Sequence, residues 1–141
     1  MNFTTIEQSQ ALIEAGLNPD TADMCWIKDN GLSENKYPQA IPWKDNMAKE
    51  FYAPCWSTGA LIELLPREIW LSKKDYSLHY WIKIHIYEVN NRALYQIAYG
   101  NSCNRKTEWC DKFSSSKNEN FIDALIEMIF WLLKNGFIKK V

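Results

Sequence analysis

The segment from Ser77 to Val89 alternates apolar and polar side chains, and this alternation restricts the available folds more than any other feature. A period of two is typical of a β-strand with one buried face. Asn90-Asn91 follows directly, and asparagine tolerates the positive φ of a tight hairpin turn. The pattern therefore predicts a hairpin with a return strand over 93–99. One face would carry Leu78, Tyr80, Ile82, Ile84 and Ile86, and the other His79, Trp81, Lys83, His85 and Tyr87.

Helical signals flank this hairpin on both sides. The predicted helices cover 4–16 with Thr4 as N-cap and Glu7 completing a capping box, 18–24 with Pro19 in the first turn, 57–65 with Ser57 as N-cap, and 120–135 with Gly136 as C-cap. The last of these helices is apolar nearly all round, which predicts burial on more than one side or contact with a partner.

Further strands are predicted at 69–71 and 105–113, with a turn at Gly100-Asn101-Ser102 between the return strand and the last one. Residues 27–55 are irregular and proline-containing, and we expect a long loop there, with room for a short strand or arm inside it. Together these elements predict a single α+β domain over 1–141. Its antiparallel β-meander would carry the N-terminal helices and the C-terminal helix on one face.

The composition is that of a globular protein rich in aromatic residues. Of the 141 residues, 47% are hydrophobic, 23% are charged and 14% are aromatic. Because a domain of this size has a limited interior, we expect some rings at the surface, where Trp and Tyr favour interfaces. Charge is uneven along the chain. Residues 1–66 carry four Lys and nine Asp or Glu, whereas 67–141 carry twelve Lys or Arg and eight Asp or Glu.

Cysteine usage and hydropathy bear on where the protein works. The four cysteines form no C-x-x-C pair and have no histidine at zinc spacing, so we expect reduced thiols and no disulfide between Cys103 and Cys110. No apolar run reaches the ~18 residues that span a bilayer, and the chain opens without a basic-then-apolar segment. We expect a cytoplasmic protein with no membrane partner.

No catalytic motif stands out in the chain. It has no glycine-rich phosphate loop, no H-E-x-x-H and no G-x-S-x-G, and we expect no cofactor and no metal. His79 and His85 would lie roughly 20 Å apart on one strand, too far to share a metal, and we expect both to be exposed. A small enzyme remains a third hypothesis, in which Glu63, Glu88, Glu108 or Asp111 would act, although their spacing selects none of them.

The leading hypothesis is a non-enzymatic interaction or accessory protein that binds a protein partner or a second copy of itself. The aromatic surplus and the apolar last helix favour it, and the expected interface residues are Trp43, Trp81, Tyr87 and Trp109. The alternative is a single-stranded nucleic-acid binder, because the mixed row on the 77–89 strand combines rings with basic groups. That row could instead be covered by the long loop or by a symmetry mate.

Three segments carry a resemblance to known sequences. They are TTIEQSQALIEAGL near the start, PCWS at 54–57 followed by ALIELLP, and DALIEM with WLL near the end. Together they resemble a family of small uncharacterised proteins from Bacteroides-type gut bacteria and their phages or mobile elements. The resemblance spans most of the chain except 27–53. It implies a cytoplasmic protein of mobile-element origin and assigns no catalytic residue.

Overall fold

The structure is a computed structural model that describes residues 2–28, 36–45, 51–102 and 108–141. Its helices are α1 (Ile6–Glu14), α2 (Thr58–Leu64) and α3 (Phe121–Lys134), with short 3₁₀ turns at Pro19–Thr21, Trp43–Asp45 and Tyr76–Leu78. Its strands are β1 (Met24–Lys28), β2 (Lys36–Gln39), β3 (Phe51–Cys55), β4 (Glu68–Trp70), β5 (His79–Val89), β6 (Arg92–Asn101) and β7 (Cys110–Ser114).

The strands form two antiparallel sheets. One has four strands in the order β4-β5-β6-β7, which is the expected meander, and the other has three strands in the order β2-β1-β3. Helix α1 lies against β3, α3 lies against β6, and the two helices contact each other. The predicted α+β class with a C-terminal helix on one sheet face is therefore confirmed.

The core lies between α3 and one face of the four-stranded sheet. Leu125, Ile129 and Leu132 of α3 are fully buried and cluster with Ile97 and Tyr99 of β6. The Tyr99 hydroxyl donates a 2.6 Å hydrogen bond to the carbonyl of Pro66, so its one polar group is satisfied. The apolar character of α3 is explained by this burial, since eight of its residues are buried.

The observed N-cap residues match the predicted ones for α2 and α3, and that of α1 is shifted by one residue. Ser57 caps α2 and Asn120 caps α3, as expected. The cap of α1 is Thr5 rather than Thr4, and Gln8 rather than Glu7 completes its capping box. Thr4 is instead buried, and its hydroxyl accepts a 3.0 Å hydrogen bond from the backbone N–H of Trp56. The Thr4 hydroxyl therefore bonds to a distant part of the chain and does not cap α1.

The region expected to be a long loop supplies β2, β3 and the end of β1, which together with the start of β1 form the three-stranded sheet. β1 pairs with β2 and with β3, and Trp26 lies opposite both Pro38 and Ala53. The Trp26 ring N–H donates to the carbonyl of Thr4 at 3.0 Å, which ties this sheet to the start of α1. The expected helix at 18–24 is reduced to one 3₁₀ turn, because β1 begins at Met24.

The hairpin between β5 and β6 turns as predicted. Asn90 and Asn91 have φ of 52° and 62°, the positive values that a two-residue turn of this kind requires. The predicted turn at 100–102 is wrong, because β6 continues through Gly100 to Asn101. Of the expected strand at 105–113, residues 105–107 fall outside the described residues. Glu108 and Trp109 are not in a strand, and β7 begins at Cys110.

Candidate interaction surface

The four-stranded sheet has a second face, which points away from the helices and carries most of the predicted interface residues. Its side chains come from alternate positions that pair across the strands, such as Trp70 with His79 and Trp81 with Gly100. We call this surface the aromatic face, and define it as Trp70, His79, Trp81, Lys83, His85, Tyr87 and Trp109.

The Trp109 ring packs against Gly100, which has no side chain. A Cβ at Gly100 would clash with the carbonyl oxygen of Cys110 and come within 2.8 Å of the Trp109 ring nitrogen, so any larger residue would displace both the β7 backbone and the ring. The same ring N–H donates a 2.6 Å hydrogen bond to Asp111, and the Lys83 ammonium lies 4.9 Å from the ring centroid. Three contacts therefore fix the orientation of this half-buried ring.

A row of stacked rings occupies the other end of the aromatic face. Trp70 stacks on His79 with ring centroids 3.4 Å apart, and His79 contacts Trp81 at 4.0 Å. Tyr76 packs edge-on against Trp70 at 5.6 Å. Trp81 at the end of this row is 37% exposed and offers ring surface to a partner.

The expectation that His79 is exposed is wrong, because the flanking Trp rings leave it only 4% exposed. Its Nε2 lies 3.1 Å from a Glu68 carboxylate oxygen, and its Nδ1 is buried without a hydrogen-bond partner among the described residues. His85 is also largely covered, and it pairs with Asp111 at 3.0 Å. Both histidines therefore hold neighbouring side chains in place.

Tyr87 completes the surface next to His85. Its ring stacks on His85 at 5.8 Å, its hydroxyl donates to Gln96 at 3.1 Å, and the Lys117 ammonium lies 4.2 Å above its centroid. The structure thus brings Trp81, Tyr87 and Trp109 onto one face.

The charges that contact these rings are balanced. Lys83 and Lys117 lie over rings, whereas Glu68 and Asp111 accept hydrogen bonds from ring nitrogens of the same surface. Among the described residues, two cations and two carboxylates therefore contact the rings of the aromatic face.

The fourth predicted residue, Trp43, lies elsewhere. It begins the 3₁₀ turn Trp43–Asp45, its backbone N–H donates to Ala22, and its side chain packs against the buried core. The structure therefore does not bring Trp43 together with the other three predicted interface residues.

The chemistry available elsewhere is limited in the part of the chain that the structure describes. Burial raises the pKa of the Cys25 and Cys55 thiols to about 11, so both are protonated at neutral pH, whereas Cys110 is exposed. Cys103 lies outside the described residues. Within those residues, no group of three His, Cys, Asp or Glu could hold a metal ion, and no helix is long and apolar enough to cross a bilayer.

Comparisons with known proteins add no relative. No family model matches the chain, and neither curated proteins nor solved structures contain a match. What the chain does must therefore be inferred from its own geometry.

Proposed function

We propose that this protein is a non-enzymatic interaction or accessory protein that binds a protein partner through the aromatic face. The observation that carries the proposal is the set of Trp81, Tyr87 and Trp109 on one sheet face, with the last two rings fixed by hydrogen bonds and cations. Aromatic side chains are enriched at the centres of protein interfaces, where they bury large areas.

Fixed rings are suited to binding because they have already lost side-chain conformational entropy in the free protein, so they lose little more when a partner binds. An immobilised side chain costs about 0.5–1.5 kcal/mol on association. Trp109 is held by Asp111 and Lys83, and Tyr87 by Gln96 and Lys117, so little of this cost remains. Such preorganisation favours a specific partner over loose hydrophobic contact.

The balance of charge favours a protein over single-stranded nucleic acid. A nucleic-acid groove combines stacking rings with an excess of positive charge along the phosphate backbone. Among the residues that the structure describes, Lys83 and Lys117 are offset by Glu68 and Asp111 on the same surface. The nucleic-acid alternative predicts binding that weakens steeply with salt, which separates the two hypotheses.

We also propose that the chain belongs with the small proteins of Bacteroides-type bacteria and their mobile elements, and that it acts in the cytoplasm without a cofactor. The segments at 54–57 and near the last helix support this kinship. A host or phage protein is then the expected partner.

The test is capture of partners by the immobilised protein from nuclease-treated Bacteroides lysate. We expect the wild type to retain a discrete protein that the Trp81→Ala/Trp109→Ala double variant loses, because the variant removes two rings from the binding surface. Tyr52→Ala is the matched control, since Tyr52 is a 44% exposed ring on the other sheet and its loss should leave capture unchanged.

Folding of each variant is checked by urea unfolding. Trp81→Ala should cost less than ~3 kcal/mol, and a larger loss would place Trp81 in the core and contradict the proposal. Equal capture by the double variant would also contradict it. Salt-sensitive binding of a labelled oligo-dT, lost in the double variant, would favour the nucleic-acid alternative instead.

A further inference from the structure

One carboxylate oxygen links two of the predicted interface rings on the aromatic face. The Oδ1 atom of Asp111 accepts a 2.6 Å hydrogen bond from the ring N–H of Trp109, and the same atom lies 3.0 Å from Nε2 of His85. The His85 ring in turn stacks on Tyr87, with ring centroids 5.8 Å apart. Asp111 and His85 together therefore connect Trp109 to Tyr87.

The strength of this link depends on the protonation state of His85. An ionised carboxylate only accepts hydrogen bonds, so Nε2 of His85 carries a hydrogen and donates it to Asp111. In the neutral ring Nδ1 then has no hydrogen, and a second proton binds there. Histidine is the side chain that ordinarily changes charge between about pH 5 and pH 8.

The two histidine–carboxylate pairs of the aromatic face differ in burial. The His79 side chain is 5% exposed, and its Nδ1 is buried without a hydrogen-bond partner among the described residues. The His85 side chain is 19% exposed, and that of its partner Asp111 is 28% exposed. Of the two rings, His85 therefore has the greater access to solvent for a second proton.

Positive charges lie close to the His85 pair. The Lys83 ammonium lies 4.9 Å from the Trp109 centroid, and Lys83 is two residues from His85 on the same face of β5, about 7 Å away. Gln96, directly opposite His85 on β6, is uncharged. Among the described residues, the charged and titratable groups that neighbour the pair are Lys83 and Tyr87 on β5, Asp111 and the exposed Lys112 on β7, and Lys117, whose ammonium lies over the Tyr87 ring.

We propose that protonation of His85 regulates the aromatic face by loosening the hold on Trp109. A protonated His85 makes a stronger, charge-assisted hydrogen bond to Oδ1 of Asp111. Less negative charge is then left on this oxygen for the Trp109 ring N–H, which bonds to the same atom. The hydrogen bond that orients Trp109 is therefore weaker when His85 is charged.

The added charge acts on Lys83 in the same direction. A positive charge on His85 repels the Lys83 ammonium, which lies over the Trp109 ring. Two of the contacts that orient Trp109 thus weaken together. Because a less firmly held ring loses more conformational entropy when a partner binds, binding should be weaker at acid pH. This effect on binding rests on the proposed function, whereas the link from His85 to Trp109 does not.

The test is a pH titration of the purified chain from about pH 8 to about pH 5, followed by NMR at the His85 ring and at the Trp109 indole N–H. The titration ends above the range in which a carboxyl group ordinarily gains its proton. We expect the indole resonance to move upfield with the same midpoint as His85, because its hydrogen bond to Asp111 weakens. The Trp26 indole is the internal reference, since it donates to the Thr4 carbonyl and should not follow His85.

Three variants decide the origin of the shift, and the spectrum of each reports whether it is folded. In His85→Gln an amide N–H can still donate to Asp111 but does not titrate, so the Trp109 shift should disappear. In Asp111→Asn most of the shift should be lost although His85 still titrates, because the shared oxygen carries no charge. His79→Gln is the matched control at the other pair and should leave the Trp109 shift in place. A Trp109 resonance that does not follow His85, or that moves equally in His85→Gln, would overturn the proposal.

The NMR readouts need no partner, so they succeed or fail separately from the proposed function. For a captured partner, binding to the wild type should weaken several-fold from about pH 7.5 to about pH 5.5, and His85→Gln should lose most of that difference. A pH dependence that is the same in the wild type and in His85→Gln would overturn the regulation of binding by His85.

Discussion

The two long edges of the β5–β6 hairpin are treated differently by the rest of the chain. On the β6 side, the segment after β7 continues along the strand, and Tyr95 and Asn118 exchange backbone hydrogen bonds at 2.7 and 2.9 Å. The Ser115 N–H donates to the carbonyl of Ile97 at 2.8 Å, and its hydroxyl accepts from the Ile97 N–H at 2.9 Å. On the β5 side, pairing stops at Ile82 among the described residues. In the part of the chain that the structure describes, backbone pairing therefore seals the β6 edge, and the β5 edge is unpaired beyond Ile82.

The sealed edge is also held from behind by α3. The Glu127 carboxylate accepts hydrogen bonds from the backbone N–H and the hydroxyl of Ser116, both at 2.8 Å, and from the Asn118 amide. Beyond Ile82, the β5 edge carries the exposed side chains of Ile84 and Ile86 instead. Among the described residues, the two edges of one hairpin thus differ in how they are covered.

The largest expected difference in the free energy of unfolding is between Ile→Ala substitutions on the two strands of the hairpin. Ile97→Ala removes a fully buried side chain of β6 and should lower the free energy of unfolding by about 2–5 kcal/mol. Ile86→Ala removes a 68% exposed side chain of β5 and should change it by less than about 0.5 kcal/mol. Urea unfolding measures both. Similar losses at the two sites would contradict the contrast between the edges.

A smaller change in stability is expected when the pH is lowered. It should arise at the sealed edge, through Glu127. Partial burial raises the pKa of Glu127, but the hydrogen bonds from Ser116 and Asn118 outweigh it, so the pKa lies below the ordinary value of 4.5. The carboxylate therefore contributes stability above pH 4.5, and this contribution is lost as the pH falls through the folded pKa.

Glu127→Gln removes this titration and is the matched variant. The wild type should lose its stability advantage over Glu127→Gln as the pH falls below 4.5, and amide exchange at Tyr95 should rise in parallel. An advantage that stays constant down to acid pH would show that Glu127 does not hold the sealed edge.

Local signals in the sequence were sufficient for the hairpin, the start of α2 and the last helix. Asn90-Asn91 sets its turn by its own backbone preference, and the caps Ser57 and Asn120 act on their own helices. Features that depend on distant contacts were missed. Pro38 and Pro54 indicated a loop, yet both lie on the outer strands of the β2-β1-β3 sheet, where a missing N–H is tolerated.

The candidate site was predictable only where local signals in the sequence determine it. The alternation in β5 placed Trp81 and Tyr87 on one face, because strand period alone decides this. The burial of His79 required Trp70 from another strand, and the position of Trp109 required a glycine at 100 on the neighbouring strand. The part of the β5 edge that is unpaired among the described residues could not be predicted from the sequence, since it depends on where β4 stops.

Amide hydrogen exchange along the β5–β6 hairpin, measured by NMR in dilute protein, tests the contrast between its two edges most directly. The amides of Lys83, His85 and Tyr87, which point toward β6, should be protected, and those of Ile84, Ile86 and Glu88 should exchange fast. On the sealed edge, the amides of Tyr95 and Ile97 should be protected. Protection of Ile84, Ile86 and Glu88 equal to that of Tyr95 and Ile97 would contradict the account.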